Sequence, residues 1–252
     1  MKRTQSKDLR DVPDEYLDDL QQRVKAQTLS GKPFFDHAGA AAELAQYSLP
    51  AYFLDFETIQ LAVPIWKGTR PYQQIPFQFS RHGLSPTGVL DHSEFLDLSG
   101  DDPSALFAEA LVAACGQVGP VFVYNAAFEA TRVTELADRF PQLKCRLLAI
   151  NERIVDLLPI TRRFYYHPSQ RGSWSLKRVL PTIATDLCYD RLDGVQDGGM
   201  AMTAYLEAIH PQIMSARKDE IRRQLLNYCG LDTYALVRLW QHFAGRNDIS
   251  EI

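Results

Sequence analysis

The order of patterned segments along the chain predicts an α/β fold: a mixed five-stranded sheet, three antiparallel strands then two parallel ones, flanked by helices and preceded by a short helical extension. Three observations carry that prediction. Three strand-like runs come first, two strand-to-helix alternations follow, and helical patterns close the chain.

At the start, Asp11-Val12-Pro13-Asp14-Glu15 supplies an N-cap, an early proline and first-turn acids, and Leu17, Leu20 and Val24 follow at helical spacing. This helix ends before Ser30-Gly31. Asp36 is placed to cap a second helix through the alanines to Tyr47, and Ser48-Leu49-Pro50 breaks the pattern. Residues 1–48 are therefore expected to form an extension and 49–246 the main domain. Tyr52 to Glu57 is aromatic-rich and reads as a strand, while Ile75 to His82 and Val89 to Phe95 flank a turn at Gly83 to Gly88. A helix from Pro103 to Cys115, a strand at Val121 to Tyr124, a helix from Ala126 to Phe140 and a short strand at Ile154 to Asp156 come next. Leu176 to Leu180 and Met200 to Ile209 read as helices, and a long helix from about Arg217 to Phe243 ends the pattern.

The 252 residues suffice for a self-supporting core, with 46% hydrophobic and 23% charged residues, which excludes wholesale disorder and collagen-like repetition. A net charge of −4 argues against a histone-like binder, so a polyanion would need a local patch or metal ions to hold it. Cys115, Cys145, Cys188 and Cys229 form no C-x-x-C pair, against zinc or redox motifs. With a polar start at Met1 to Arg10 and no apolar run near the ~20 residues a membrane span needs, the expectation is a reduced, cytoplasmic protein with no membrane partner.

Asp55 and Glu57, two apart in a strand, project to one face, while Leu54 and Phe56 point the other way. Carboxylates that close raise each other's pKa unless a cation sits between them, and a hard ion such as Mg²⁺ or Mn²⁺ would resolve the conflict. A strand end with two solvated acids is the plain alternative. On the last helix, Tyr228 and Asp232 lie on or beside the stripe of Ile221, Leu225, Cys229, Leu236, Leu239 and Phe243, so Asp232 faces inward. It needs a partner, either an arginine or a metal. Asn125 and Glu129, where an apolar strand turns into a helix, are explained by an N-cap and dipole compensation without any function, and spacing alone favours that reading. Asp156, at the next strand end, is similarly open.

In order and type these residues resemble the three motifs of the DEDD (DnaQ-like) exonuclease superfamily, which has a ribonuclease-H-like fold: Asp55-Phe56-Glu57-Thr58, then Asn125-Ala126-Ala127-Phe128-Glu129, then Tyr228-Cys229-Gly230-Leu231-Asp232. The third matches the tyrosine subclass, and Glu129 stands where most members carry Asp. Longer strings, Tyr52 to Ile59, Thr69 to Ser80, Gly172 to Pro181 and Tyr228 to Asp232, resemble the bacterial domain of unknown function 2779 family, grouped with that superfamily.

The resemblance implies a metal-dependent 3′–5′ exonuclease releasing 5′-mononucleotides from single-stranded DNA or RNA, with two Mg²⁺ or Mn²⁺ ions. Asp55, Glu57 and Asp232 would hold one ion, and Asp55 with Glu129, directly or through water, a second about 4 Å away. Tyr228 would orient the attacking water or help deprotonate it through a hydrogen bond. Thr58, Asn125, Phe128, Asp156, Arg171, Trp174 and Lys177 are the expected substrate contacts. Relatives often carry an upstream Cas4-like nuclease region, which makes such a nuclease an expected neighbour or partner. A catalytically inactive domain that binds nucleic acid or a partner nuclease is the competing function. Leu157 to Thr185 adds Arg162, Arg163, Arg171, Lys177 and Arg178 without an acid, interleaved with Phe164, Tyr165, Tyr166 and Trp174. That composition fits phosphate contacts with base stacking, or a solvated basic loop whose rings lie in the core; stacking is favoured because the rings follow no clear period. The six histidines show no ligand spacing.

Overall fold

The computed structural model describes residues 8–246 and 249–251; residues 1–7 of the expected extension lie outside them. Helix α1 runs Asp19–Ser30, later than the sequence suggests, because Asp18 and Gln21 form a reciprocal capping box while Asp14–Tyr16 makes only a 3₁₀ turn. A two-residue strand β1 (Phe34–Phe35) leads to α2 (His37–Leu44), capped by Asp36 as expected. Then come β2 (Ala51–Gln60), β3 (Gln74–Leu84), β4 (Val89–Leu96) and α3 (Ser104–Ala114). Strand β5 (Val121–Val123) leads into α4 (Ala127–Arg139), α5 (Lys144–Asn151) and β6 (Ile154–Asp156). Helix α6 (Leu157–Phe164), strand β7 (Tyr165–Tyr166), α7 (Leu176–Val179), α8 (Gly198–Ala208), the 30-residue α9 (Ser215–Ala244) and β8 (Ser250–Glu251) complete the chain.

The predicted mixed sheet is present, in spatial order β6-β5-β2-β3-β4, with the two-residue β8 added beside β4. Strands β2, β3 and β4 pair antiparallel, and β5 and β6 extend β2 in parallel. Where β5 enters, Gly119 has φ +88°, and a Cβ there would collide with the Pro50 carbonyl, so the tight entry beside β2 requires glycine. β1 and β7 form a separate small antiparallel pair that ties the N-terminal segment to the segment after α6.

Alternation along β2 divides the core. Leu54 and Phe56 pack with Phe107, Val133 and Leu147 of α3, α4 and α5 on one face. Phe53 packs with Leu236, Trp240 and Phe243 of α9 on the other, joined by Ala40 and Leu44 of α2. Ile59 and Phe77 continue that second face toward α8 and α9. A register shift after Glu57 inserts Phe77 as an extra β3 residue between the pairs Glu57↔Gln78 and Thr58↔Pro76. Such a bulge twists the strand and re-aims neighbouring side chains.

Helix α6 and the segment after it depart from the sequence reading. Leu157, Ile160, Thr161 and Phe164 are buried at helical spacing, and Tyr165, Tyr166 and Trp174 join the same core. The Trp174 indole N–H donates to the Tyr165 carbonyl at 3.1 Å. The aromatics expected to stack on bases are core residues, and their uneven spacing reflects a helix, a short strand and a turn in succession. Trp174→Ala is therefore expected to cost about 3–5 kcal/mol of folding stability, read from the urea midpoint, because it empties a buried volume.

Candidate metal centre

Strand alternation puts Asp55 and Glu57 on the face that meets α9, and the register of α9 decides whether Asp232 reaches them. Four polar contacts fix that register. Gln78 donates to the Leu225 carbonyl at 2.8 Å, Ser80 and His82 each meet the Thr233 hydroxyl, at 2.7 and 2.8 Å, and the Cys229 thiol lies 3.7 Å from the Asp55 carbonyl. Burial pushes the His82 pKa down to about 3, so this contact is made by a neutral imidazole. Locked this way, α9 points Tyr228 and Asp232 at β2.

Asp55, Glu57 and Asp232 each offer a carboxylate oxygen, and the three oxygens lie within 4.8 Å of one another. Glu57 and Asp232 are buried and Asp55 is half-buried. Glu129, in the first turn of α4, is 2% exposed, close enough to Asp55 to act on it electrostatically, and its Oε2 has no hydrogen-bond partner. Desolvation pushes all four acids up, and repulsion from the neighbouring acids adds to it at Asp55 and Glu57: Asp55 is raised well above the carboxylate range, Glu57 and Glu129 to about 8, and Asp232 to about 6. Among the described residues none of them pairs with arginine, the plain alternative for Asp232. Four carboxyls with one orphaned buried oxygen are an oxygen-only donor set, which suits a hard divalent cation.

Around the acids lie Tyr189, which the sequence did not reveal, and Lys177, expected there as a substrate contact. The Tyr189 phenol donates to Asp232 Oδ1 at 2.6 Å, and it stands in a 3₁₀ turn that no periodicity announces. The Lys177 ammonium sits 5.1 Å from the Tyr189 ring and 4.9 Å from the Tyr228 ring, donates to the Gln196 carbonyl at 2.6 Å, and draws the pKa of Glu57 and Asp232 back down. The start of α8 lies against Glu57, where a Cβ on Gly198 would be 3.8 Å from Oε2. Both phenols, Tyr189 and Tyr228, are pushed upward by burial and by the acids, so each stays protonated as a donor.

The remaining expected contacts have separate places. Asp156 accepts hydrogen bonds from the backbone N–H groups of Asn125, Ala126 and Leu158 at 2.9, 3.0 and 2.9 Å, so it caps α6 and holds the start of α4. Its acceptor capacity is spent on backbone, and Asp156→Ala is expected to cost roughly 2–4 kcal/mol, measured by denaturant unfolding. Asn125 does not cap α4 with its side chain, because it takes a left-handed φ of +74°, which leaves its amide exposed. Phe128 is half-buried under the Arg132 guanidinium, Thr58 is buried beside the bulge, and Arg171 stands exposed with φ +51°.

Residues 52–175 match a family model described as Domain of unknown function (DUF2779). No curated protein and no solved structure compared with the chain matches it. The matched stretch runs from β2 to Ser175 and contains Asp55, Glu57 and Glu129. Tyr228 and Asp232 lie beyond it, as do Lys177 and Tyr189. Their place at the centre thus rests on the packing of α7, α9 and the turn before α8. Among the described residues, no helix is long and apolar enough to cross a membrane, and all four cysteines are free.

Proposed function

We propose that the chain is a metal-dependent 3′–5′ exonuclease that hydrolyses single-stranded DNA or RNA to 5′-mononucleotides. The observation that carries this reading is the convergence of Asp55, Glu57 and Asp232, whose carboxylate oxygens lie within 4.8 Å of one another. The sheet, three antiparallel strands continued by two parallel ones, is also the one that the resemblance to DEDD exonucleases implies.

Asp55, Glu57 and Asp232 would hold one Mg²⁺ or Mn²⁺ ion, and Asp55 with the orphaned Glu129 oxygen a second. The ions would supply an acidified water and neutralise charge on the phosphate. The chain's own residues set the rest. Tyr228, protonated throughout the working range, positions the attacking water by hydrogen bonding and does not act as a base. Tyr189 holds Asp232 in one orientation through its 2.6 Å hydrogen bond. Lys177, held by the Gln196 carbonyl, places a positive charge beside the acids, where negative charge builds on a reacting phosphate.

The test is release of labelled mononucleotides from a 3′-labelled single strand with Mn²⁺ or Mg²⁺, compared with a 5′-labelled one. Release confined to the 3′ label supports the reading. Equal behaviour of the wild type and Asp55→Asn would defeat it, leaving an inactive binding domain.

A further inference from the structure

Beside the metal centre lies a hollow of about 700 Å³, within the range of sites that take a small organic ligand. Leu158 and Leu176 give it apolar walls, and Asn125, Ser173 and Ser175 set polar groups around them, with Arg162 at the side. Two of these residues connect it to the acids. Asn125 follows β5, whose Phe122 pairs with Phe53 of β2 two residues before Asp55, and Leu176 precedes Lys177, whose ammonium lies 4.9 Å from the Tyr228 ring. The hollow therefore flanks the triad on the side where α4 and α7 begin.

Its chemistry is that of a flat heterocycle joined to an anion. No hydrogen bond occupies the Asn125 amide among the described residues, so it offers a donor and an acceptor at once. Arg163 takes Glu43 at 3.4 Å, whereas the exposed Arg162 meets no acid among the described residues. Arg171, at the left-handed turn beside Gly172, adds a second exposed cation on this edge. The Leu157 to Thr185 segment that forms most of the wall contains no acid at all. A peptide would not need this one-signed wall, whereas a phosphate-linked base does.

We propose that this hollow seats one nucleobase of a single strand whose terminal phosphodiester lies at Asp55, Glu57 and Asp232, with Arg162 on the adjoining phosphate. The assignment rests on the exonuclease reading for the direction of the strand, and gives the site a grip on a second nucleotide.

The experiment is an abasic scan read by fluorescence anisotropy. A 5′-fluorescein hexanucleotide with a phosphorothioate backbone is bound in Mn²⁺, intact or with one base removed in turn at each of the four 3′ positions. In the wild type one position is expected to stand out, weakening Kd by about tenfold. Ser175→Trp, which fills the hollow from an exposed position, is expected to weaken the intact strand and cancel most of that position's penalty. Arg162→Ala is expected to weaken every strand alike and to reduce the salt slope by about one. The proposal is overturned if no position stands out, if the penalty persists in a folded Ser175→Trp protein, or if no strand binds. A position-specific penalty without mononucleotide release would keep the hollow and remove the exonuclease reading; release without the penalty would do the reverse.

Discussion

Asp232→Asn is expected to cut mononucleotide release by roughly 10³-fold or more and, at the same time, to raise the stability of the metal-free protein. The two effects share one cause. Asp232 lies within 4.8 Å of Asp55 and Glu57, so without a cation its charge is the second-largest influence, after burial, raising the pKa of both. An amide of the same shape removes that repulsion and still accepts the Tyr189 hydrogen bond. The gain at pH 8 in EDTA is expected to be roughly 2–4 kcal/mol, measured by urea unfolding beside the wild type. Saturating Mn²⁺ should reverse the ranking, because only the wild type retains the full ligand set. A variant less stable than wild type in EDTA would show that Asp232 serves the fold and not a metal.

The metal-free wild type is expected to lose stability as the pH rises from about 4.5 to 8. Glu57 and Glu129 have folded-state pKa values raised to about 8, against 4.5 for an exposed glutamate, so the folded chain binds more protons across that window. Stability is then greatest below the unfolded pKa and falls until the folded groups ionise. Asp232, raised to about 6, contributes in the lower half of the window. A hard cation binds the ionised carboxylates, so its stabilising effect should grow over the same window. Tm recorded from pH 5 to 8.5, with EDTA and with Mn²⁺, should give curves that diverge upward in pH. Parallel curves would mean that the acids hold no ion.

Much of this centre was legible in the sequence, because each part announces itself through a period. Alternation set Asp55 and Glu57 on one face, and the apolar stripe of the last helix turned Asp232 inward. Their meeting in space was not legible, because it depends on contacts such as Ser80 with Thr233 and Gln78 with Leu225, which bridge about 150 residues. Glu129 read first as dipole compensation, and only its burial and its unpartnered oxygen favour the other meaning. The clearest misreading was the basic, aromatic segment. Pro159 and the adjacent arginines hid the helical burial of Leu157, Ile160, Thr161 and Phe164, and rings assigned to bases went into the core. Tyr189 had no signal at all.

The four thiols are distributed so that the molecule comes nearly ready for a spectroscopic reporter. Cys115 and Cys229 are buried, and burial pushes Cys115 up to about 12 and Cys229 well above the ordinary thiol range, so neither supplies a reactive thiolate near neutral pH. Cys145 is exposed on α5, which packs on the sheet face opposite α9, while Cys188 is half-exposed beside Tyr189. Once Cys188 is replaced by serine, a maleimide dye should settle on Cys145 alone, signalling ligand arrival from the far side of the sheet without touching the acids.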